Sequence, residues 1–491
     1  MRRAALVLAL ASLACPGASK PTPTPAPMTL GTPGKPLTLG ASGRPAATPR
    51  AGTDTNVLLV TIDTLRADHL GLYGYGRRTS PNLDAFAKEG TVFDQAYTFW
   101  PKTRASFIMM MTGRRPSQNG YSKTHPVLLD FNPTLASVLG DAGYATAAVL
   151  DNANLAGSNG YSKGFATYRE TWEEKALASE AERARAITDA GVAFLQDAGR
   201  SKPFFLWLHY VSPHAPYTPP APYDTMFLDD AVAKSRPLKV VRGFFGGIPE
   251  PWAVKGQDRL GYYVAQYDGE IAAVDHELGR VFAALRASGH WGRTLVIVSS
   301  DHGESLGEHD YYFDHGADLF DPSLRIPLVV VAPGTPGGRR SQGLVSTLDL
   351  FPTVLDAVKV SYTPDLAGKS VLPALAGGEL ADRPRLFAQN DMNLTAVFDK
   401  RFKLVAQPVR DKRRLDLFDR QADPAETRNI SREQPDTLRV QLRELELFTD
   451  RAEREWSRTR PLTEGMPEGK GPMSDNECEQ LKALGYIAHC P

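Results

Sequence analysis

The sequence predicts an α/β fold, with a mostly parallel central sheet flanked by helices on both sides and a smaller C-terminal α+β subdomain. Three observations carry this expectation. Continuous apolar runs such as NVLLVTID (56–63) and PFFLWLHY (203–210) read as strands buried on both faces. These runs alternate with helical segments, the order in which a parallel sheet is wound. After about residue 385 the texture changes, and RLFAQNDMNLTAVFDKRFKLVAQP alternates in the manner of antiparallel strands.

The elements follow in order. After the first strand, Ser80 and Pro81 open a helix as N-cap and first helical residue, and Gly90 closes it. Residues Asn132 to Gly143 repeat that grammar, and YATAAVL (144–150) is the next strand. A polar helix is expected over 173–199, a strand over 203–210 and a second long helix over 262–289. Strands follow at 293–303 and 326–334, and an amphipathic helix runs from Gln434 to Trp456.

Lysines and arginines number 56, as do aspartates and glutamates, so no overall field points to nucleic acid as a partner. The opening MRRAALVLALASLAC has two arginines before an apolar run from Ala4 to Ala14, too short to span a bilayer and shaped like a secretory signal. Cys15 after Leu13-Ala14 suggests lipid attachment. The expected organisation is a lipoprotein-type signal peptide over 1–18, a disordered Pro/Thr-rich tether over 19–54, a catalytic domain over 55–385 and a C-terminal subdomain over 386–491. This places the protein outside the cytoplasm, in the periplasm or cell envelope, touching a bacterial membrane through its anchor alone. Cys478 and Cys490 could pair or stay free.

In open α/β sheets the functional groups gather at the carboxyl ends of strands. Asp63 closes the first strand, and Asp301 and His302 follow TLVIVSS. Two carboxylates and an imidazole on one edge suit a divalent cation. Lys102-Thr103-Arg104 stands where an apolar helix, RASFIMMM, begins, and a helix N-terminus favours developing negative charge. Taken locally, Asp63 reads as a turn residue and Thr103 as a helix cap.

Longer segments change that balance. NVLLVTIDTLRADHLGLYGYGRRTSPNLDAFAKEGTVFDQAY, TRASFIMMMTGRRP, HYVSPHAPYTPP and SSDHGESLGEH occur in this order. Together with EQLKALGYI near the C-terminus, they resemble the sulfatase family of the alkaline-phosphatase superfamily, from Asn56 to Ile487. The resemblance implies an alkaline-phosphatase-like sandwich with a smaller C-terminal sheet. It implies one divalent metal ion (zinc, manganese, magnesium or calcium) held by Asp63, Thr103, Asp301 and His302. His214 matches the family's oxyanion-binding histidine, and His315 is the candidate acid for the leaving group.

The departures are informative. Thr64 stands where many members carry a second acid, which disfavours a calcium site of several carboxylates. Thr103 occupies the position that sulfate-cleaving members convert from cysteine or serine to formylglycine, with Ala105 and Phe107 in place of the motif's proline and arginine. Lys102 and Arg104 remain as sources of positive charge, Lys102 with His214 as substrate-binding groups. Formylglycine hydrate sheds sulfate by breaking a carbon–oxygen bond, an exit that a sulfated threonine lacks. A phosphorylated threonine can be hydrolysed at phosphorus. The sequence therefore predicts a metal-dependent ester hydrolase that prefers a phosphate or phosphonate ester of a small molecule, lipid or glycan. A sulfate-ester hydrolase working without formylglycine is the alternative. An inert surface-binding lipoprotein comes third, because Asp63, Asp301, His302, His214 and His315 are all retained.

Overall fold

The computed structural model describes residues 54–197, 202–362, 365–380, 383–410, 412–466, 468–469 and 473–490. The predicted signal peptide, Cys15 and the tether up to residue 53 lie outside the described residues. Eight strands form the central sheet: β1 (Asn56–Ile62), β2 (Thr91–Tyr97), β3 (Ala145–Leu150), β4 (Thr167–Glu170), β5 (Phe204–Tyr210), β6 (Thr294–Ser300), β7 (Leu328–Val331) and β8 (Arg339–Ser346). Their order across the sheet is β8-β2-β7-β6-β1-β5-β3-β4. All run parallel except β7, which is antiparallel to both of its neighbours, β2 and β6.

The apolar run of β1 is divided between two layers by the period-two alternation of a strand. Val57 and Leu59 face a layer that includes α2 (Thr103–Thr112), α3 (Leu135–Asp141) and, later in the chain, Leu350–Leu355. Leu58, Val60 and Ile62 face α1 (Pro81–Ala87), α4 (Glu180–Asp197) and α5 (Leu260–Ala287). Each such side chain contributes about 1.5–3 kcal/mol when fully buried, and every residue of β1, β5 and β6 is buried.

Several boundaries differ from the sequence expectation, each for a local reason. The polar helix begins at residue 180 rather than 173, because Ser179 and Glu182 form a capping box: Glu182 N–H donates to Ser179 Oγ (3.2 Å) and Ser179 N–H to Glu182 Oε2 (2.9 Å). Ser80 precedes α1 without capping it. The N–H groups of Asn82 and Leu83 go instead to the Asp275 carboxylate on α5 (2.9 and 2.8 Å). The cap of α3 is Thr134, which accepts from Ser137 N–H.

Beyond the central sheet, β9 (Leu386–Gln389), β10 (Thr395–Phe398), β11 (Phe402–Val409) and β12 (Lys412–Asp419) form an antiparallel sheet in sequential order. Helix α6 (Pro435–Thr463) packs against it and extends past the predicted end at Trp456. Helix α7 (Asp475–Ala483) returns to the main domain, and a disulfide joins Cys478 on it to Cys490. Among the described residues no helix is long and apolar enough to cross a membrane.

Candidate active site

The carboxyl edge of the sheet supplies the functional side chains. Asp63 follows β1, and its N–H donates to Tyr210 O at the end of β5 (2.9 Å). Asp301 and His302 follow β6, whose last residue, Ser300, donates from Oγ to His302 O (2.5 Å). Thr103 is the first residue of α2, after Lys102 in extended conformation. Ser106, one turn on, donates to Asp301 O (2.8 Å) and so ties the helix start to the Asp301-His302 turn. Thr64 sits at φ +52°, a costly region for a β-branched residue, and directs its N–H to Asp301 Oδ1 (3.4 Å).

Asp63, Thr103, Asp301 and His302 are all 0 % exposed. His302 Nε2 lies 3.2 Å from Asp301 Oδ2, 3.7 Å from Asp63 Oδ1 and 3.3 Å from Thr103 Oγ1. Its Nδ1 is 3.0 Å from Gly303 O, an acceptor, so the ring proton belongs on Nδ1 and the Nε2 lone pair faces the carboxylates. Asp63 Oδ1 and Asp301 Oδ2 are buried without a hydrogen-bond partner among the described residues. Leaving two such oxygens orphaned costs several kcal/mol, and a cation between them removes that cost. The three residues present donor atoms within 4.8 Å of one another and can hold a divalent ion.

The electrostatics agree. Burial alone would raise the Asp63 carboxyl, but the neighbouring His209, His214 and His302 imidazoles bring it below the ordinary carboxylate range. Burial, then the Asp63 charge, pushes Asp301 well up, the expected response of facing carboxylates. Burial lowers His302 to about 4, so the imidazole is neutral and free to act as a ligand.

On the other side of Thr103 lie two more histidines. His214 has Nδ1 2.6 Å from Ala215 O, and His315 has Nδ1 2.9 Å from Glu304 Oε1. Burial, then the charges of Asp314 and Asp63, pushes Glu304 well above the carboxylate range. Burial, then His302 and His214, holds His315 well below the usual imidazole value. Both shifts favour the proton on Glu304, whose Oε1 would then donate to Nδ1 and leave the hydrogen of His315 on Nε2.

The structure thus brings Asp63, Thr103, Asp301, His302, His214 and His315 together. Lys102 is peripheral: its ammonium pairs with Asp391 (3.4 Å), although its charge reaches His302 and His315. Arg104 departs from the expected cluster. It is buried, its charge is felt by Tyr161, Tyr121 and Glu477, and its Nε and Nη2 have no hydrogen-bond partner among the described residues. Three residues of the site receive no role from the sequence, although Tyr486 lies within EQLKALGYI. Asn152, after β3, donates to Asp63 Oδ2 (2.5 Å). His209, within β5, places Nε2 3.7 Å from the same oxygen. Tyr486, beyond α7, puts its hydroxyl 3.0 Å from Thr103 Oγ1. The strand-end rule applied to every strand would have flagged the first two.

Comparison with known proteins agrees with this geometry. The family model for sulfatases matches residues 55–360. The chain belongs to the sulfatase family. The model for the C-terminal part of N-sulphoglucosamine sulphohydrolase matches residues 307–451. Among curated relatives, the multifunctional alkaline phosphatase superfamily protein PehA of Trinickia caryophylli is 28% identical over 485 residues, covering 77% of this chain and 91% of its own. An arylsulfatase of Clostridium perfringens is 27% identical, covering 64% and 77%. The crystal structure of a phosphonate monoester hydrolase of Agrobacterium radiobacter superposes with a TM-score of 0.68 at 22% identity, over 82% of this chain and 96% of that one. At that identity the likeness concerns the fold.

Proposed function

We propose that this sulfatase-family chain hydrolyses a phosphate or phosphonate ester with Thr103 as the nucleophile. The observation that carries the reading is that a threonine, at the first position of α2 and 3.3 Å from His302, stands at the focus of the site. Among the described residues no cysteine is free for conversion to an aldehyde: Cys478 and Cys490 are joined to each other. A covalent intermediate on an unmodified threonine must be resolved at the transferred atom, which phosphorus permits.

A divalent ion held by Asp63, Asp301 and His302 would supply Lewis-acid stabilisation of charge on the transferred group; the imidazole suits zinc, and the two carboxylates suit manganese, magnesium or calcium. Thr103 Oγ1 forms a bond to phosphorus as the bond from phosphorus to the leaving oxygen breaks. His315 gives its Nε2 proton to that oxygen and takes one from Glu304 at Nδ1. Water then attacks phosphorus, breaking the bond to Oγ1, and its proton returns to the His315–Glu304 pair. Lys102 and the N-terminus of α2 favour the negative charge. Sulfate esters are the second reading, favoured by the Clostridium arylsulfatase relative.

The test is turnover of aryl phosphate mono- and diesters, phosphonate monoesters and sulfates by the purified protein, with and without chelator. The expected result is chelator-sensitive turnover of a phosphorus ester, reduced about 10³-fold or more in Thr103→Ala. A preference for sulfate esters would overturn it. The signal-like N-terminus and the Cys478–Cys490 disulfide support an exported, lipid-anchored protein. Palmitate incorporation that is lost in Cys15→Ser would bear that out, and its absence from the full chain would sink it.

A further inference from the structure

Tyr486 reaches the nucleophile from 383 residues away in the chain. It lies three residues past α7, inside the loop closed by the Cys478–Cys490 disulfide. Its hydroxyl stands 3.0 Å from Thr103 Oγ1 and 3.0 Å from His214 Nε2, with His315 Nε2 at 3.4 Å. The partners set the hydrogen-bond directions. Ala215 O can only accept, so His214 carries its hydrogen on Nδ1 and presents a bare Nε2. The phenol, protonated at neutral pH, donates to that nitrogen, and its oxygen accepts from Thr103. With His302 Nε2 turned to the carboxylates, two 3.0 Å bonds run head to tail from Thr103 through Tyr486 to His214.

We infer that Tyr486 is a catalytic residue that relays the Thr103 proton to His214 as Thr103 attacks. The inference rests on Thr103 being the nucleophile. As the bond from Oγ1 to phosphorus forms, the Thr103 proton passes to the Tyr486 oxygen and the phenol proton passes to His214 Nε2. Tyr486 ends neutral and His214 ends as imidazolium. When water breaks the phosphothreonine bond, the chain runs backwards and returns a proton to Oγ1. The leaving-group proton travels separately, through His315.

The experiment measures kcat/KM of Tyr486→Phe over a series of aryl esters, of the class the wild type hydrolyses, with good to poor leaving groups. Deprotonating the nucleophile does not depend on the leaving group, so the expected loss is on the order of 10²-fold across the whole series. His214→Gln should show the same flat loss, and the double variant should be no worse than the poorer single one, because both cut one chain. Turnover of Tyr486→Phe at or above wild type would overturn the relay, leaving the phenol as a cover over Thr103. Loss confined to poor leaving groups, or fully additive losses, would overturn it as well. Should the wild type hydrolyse only sulfate esters, the phosphoester reading fails while the same series, run on sulfates, still tests the relay. Wild-type turnover in Thr103→Ala would remove both.

Discussion

A carboxylate binds a cation well when its other oxygen is fixed, and Asp63 is fixed from two directions. Asn152 Nδ2 donates to Oδ2 (2.5 Å), while Oδ1 has no hydrogen-bond partner among the described residues. His209 is held in the matching tautomer. Thr61 Oγ1 accepts from Trp207 Nε1 (2.8 Å) and has its own hydrogen to give to His209 Nδ1 (2.9 Å), a bond that leaves the ring hydrogen on Nε2, facing Asp63. Asn152→Ala leaves Asp63 free to rotate and removes one of the bonds that hold it ionised. Divalent-metal affinity should fall about 10–100-fold, with most of the activity recovered at saturating metal. Titration against a chelating dye measures the affinity, and an unchanged dissociation constant would show that Asn152 does not orient the ligand.

At the scale of elements, the legible parts of the fold are those whose burial is written into composition. Strands β1, β5 and β6 are covered on both faces, so their residues are apolar without interruption. The edges of the sheet are not written this way. Strand β8 begins RRSQG with alternating exposure, and β4 is half-buried throughout, so neither stands out from a polar loop. The reversed direction of β7 is equally silent, because four buried aliphatic residues look the same in either sense. The same contrast holds in the site. Asp63 and Asp301-His302 announce themselves as charge placed at the end of an apolar run. Thr103 opens a helix whose ten residues are all buried, and Gly113 at φ +64° closes it with its N–H on Met109 O, so this wedge aims one hydroxyl at the sheet edge. Tyr486 lies in the EQLKALGYI segment, but nothing in that segment assigns it a role, since its meaning comes from where α7 returns. Gln480 on that helix accepts from Ala153 N–H (2.6 Å) and donates to Asp151 (2.7 Å), docking α7 beside the Asn152 that holds Asp63.

At the scale of the molecule, the C-terminal sheet is attached to the catalytic domain through a buried charge network. Lys403 on β11 is fully buried, and its ammonium lies 2.6 Å from Asp321 Oδ1, 2.7 Å from Glu426 Oε1 and 3.2 Å from Leu319 O. Arg420 bonds the other Asp321 oxygen (2.7 Å) and lies over the rings of Tyr97 and Phe398, which meet edge to face across the same junction. Two cations thus face the Asp321 carboxylate and Glu426, which burial pushes up to about 7, and removing a cation leaves the Asp321 charge less well compensated. Lys403→Met should destabilise the protein by about 3–5 kcal/mol at neutral pH, read as a fall in the denaturant midpoint. The pH dependence has a definite sign. Burial would raise the Asp321 carboxyl, but Arg420 and Lys403 draw it well below the ordinary range. A depressed folded-state pKa means that the unfolded chain binds the proton more readily. The Asp321 contribution is therefore complete above its unfolded value of about 3.9 and is lost as pH falls from there through the folded value. Unfolding midpoints of the wild type should drop steeply below about pH 4, whereas Asp321→Asn should start lower at pH 7 and show a shallower acid limb. Parallel acid limbs in the two proteins would mean that this network does not govern how the C-terminal sheet is held.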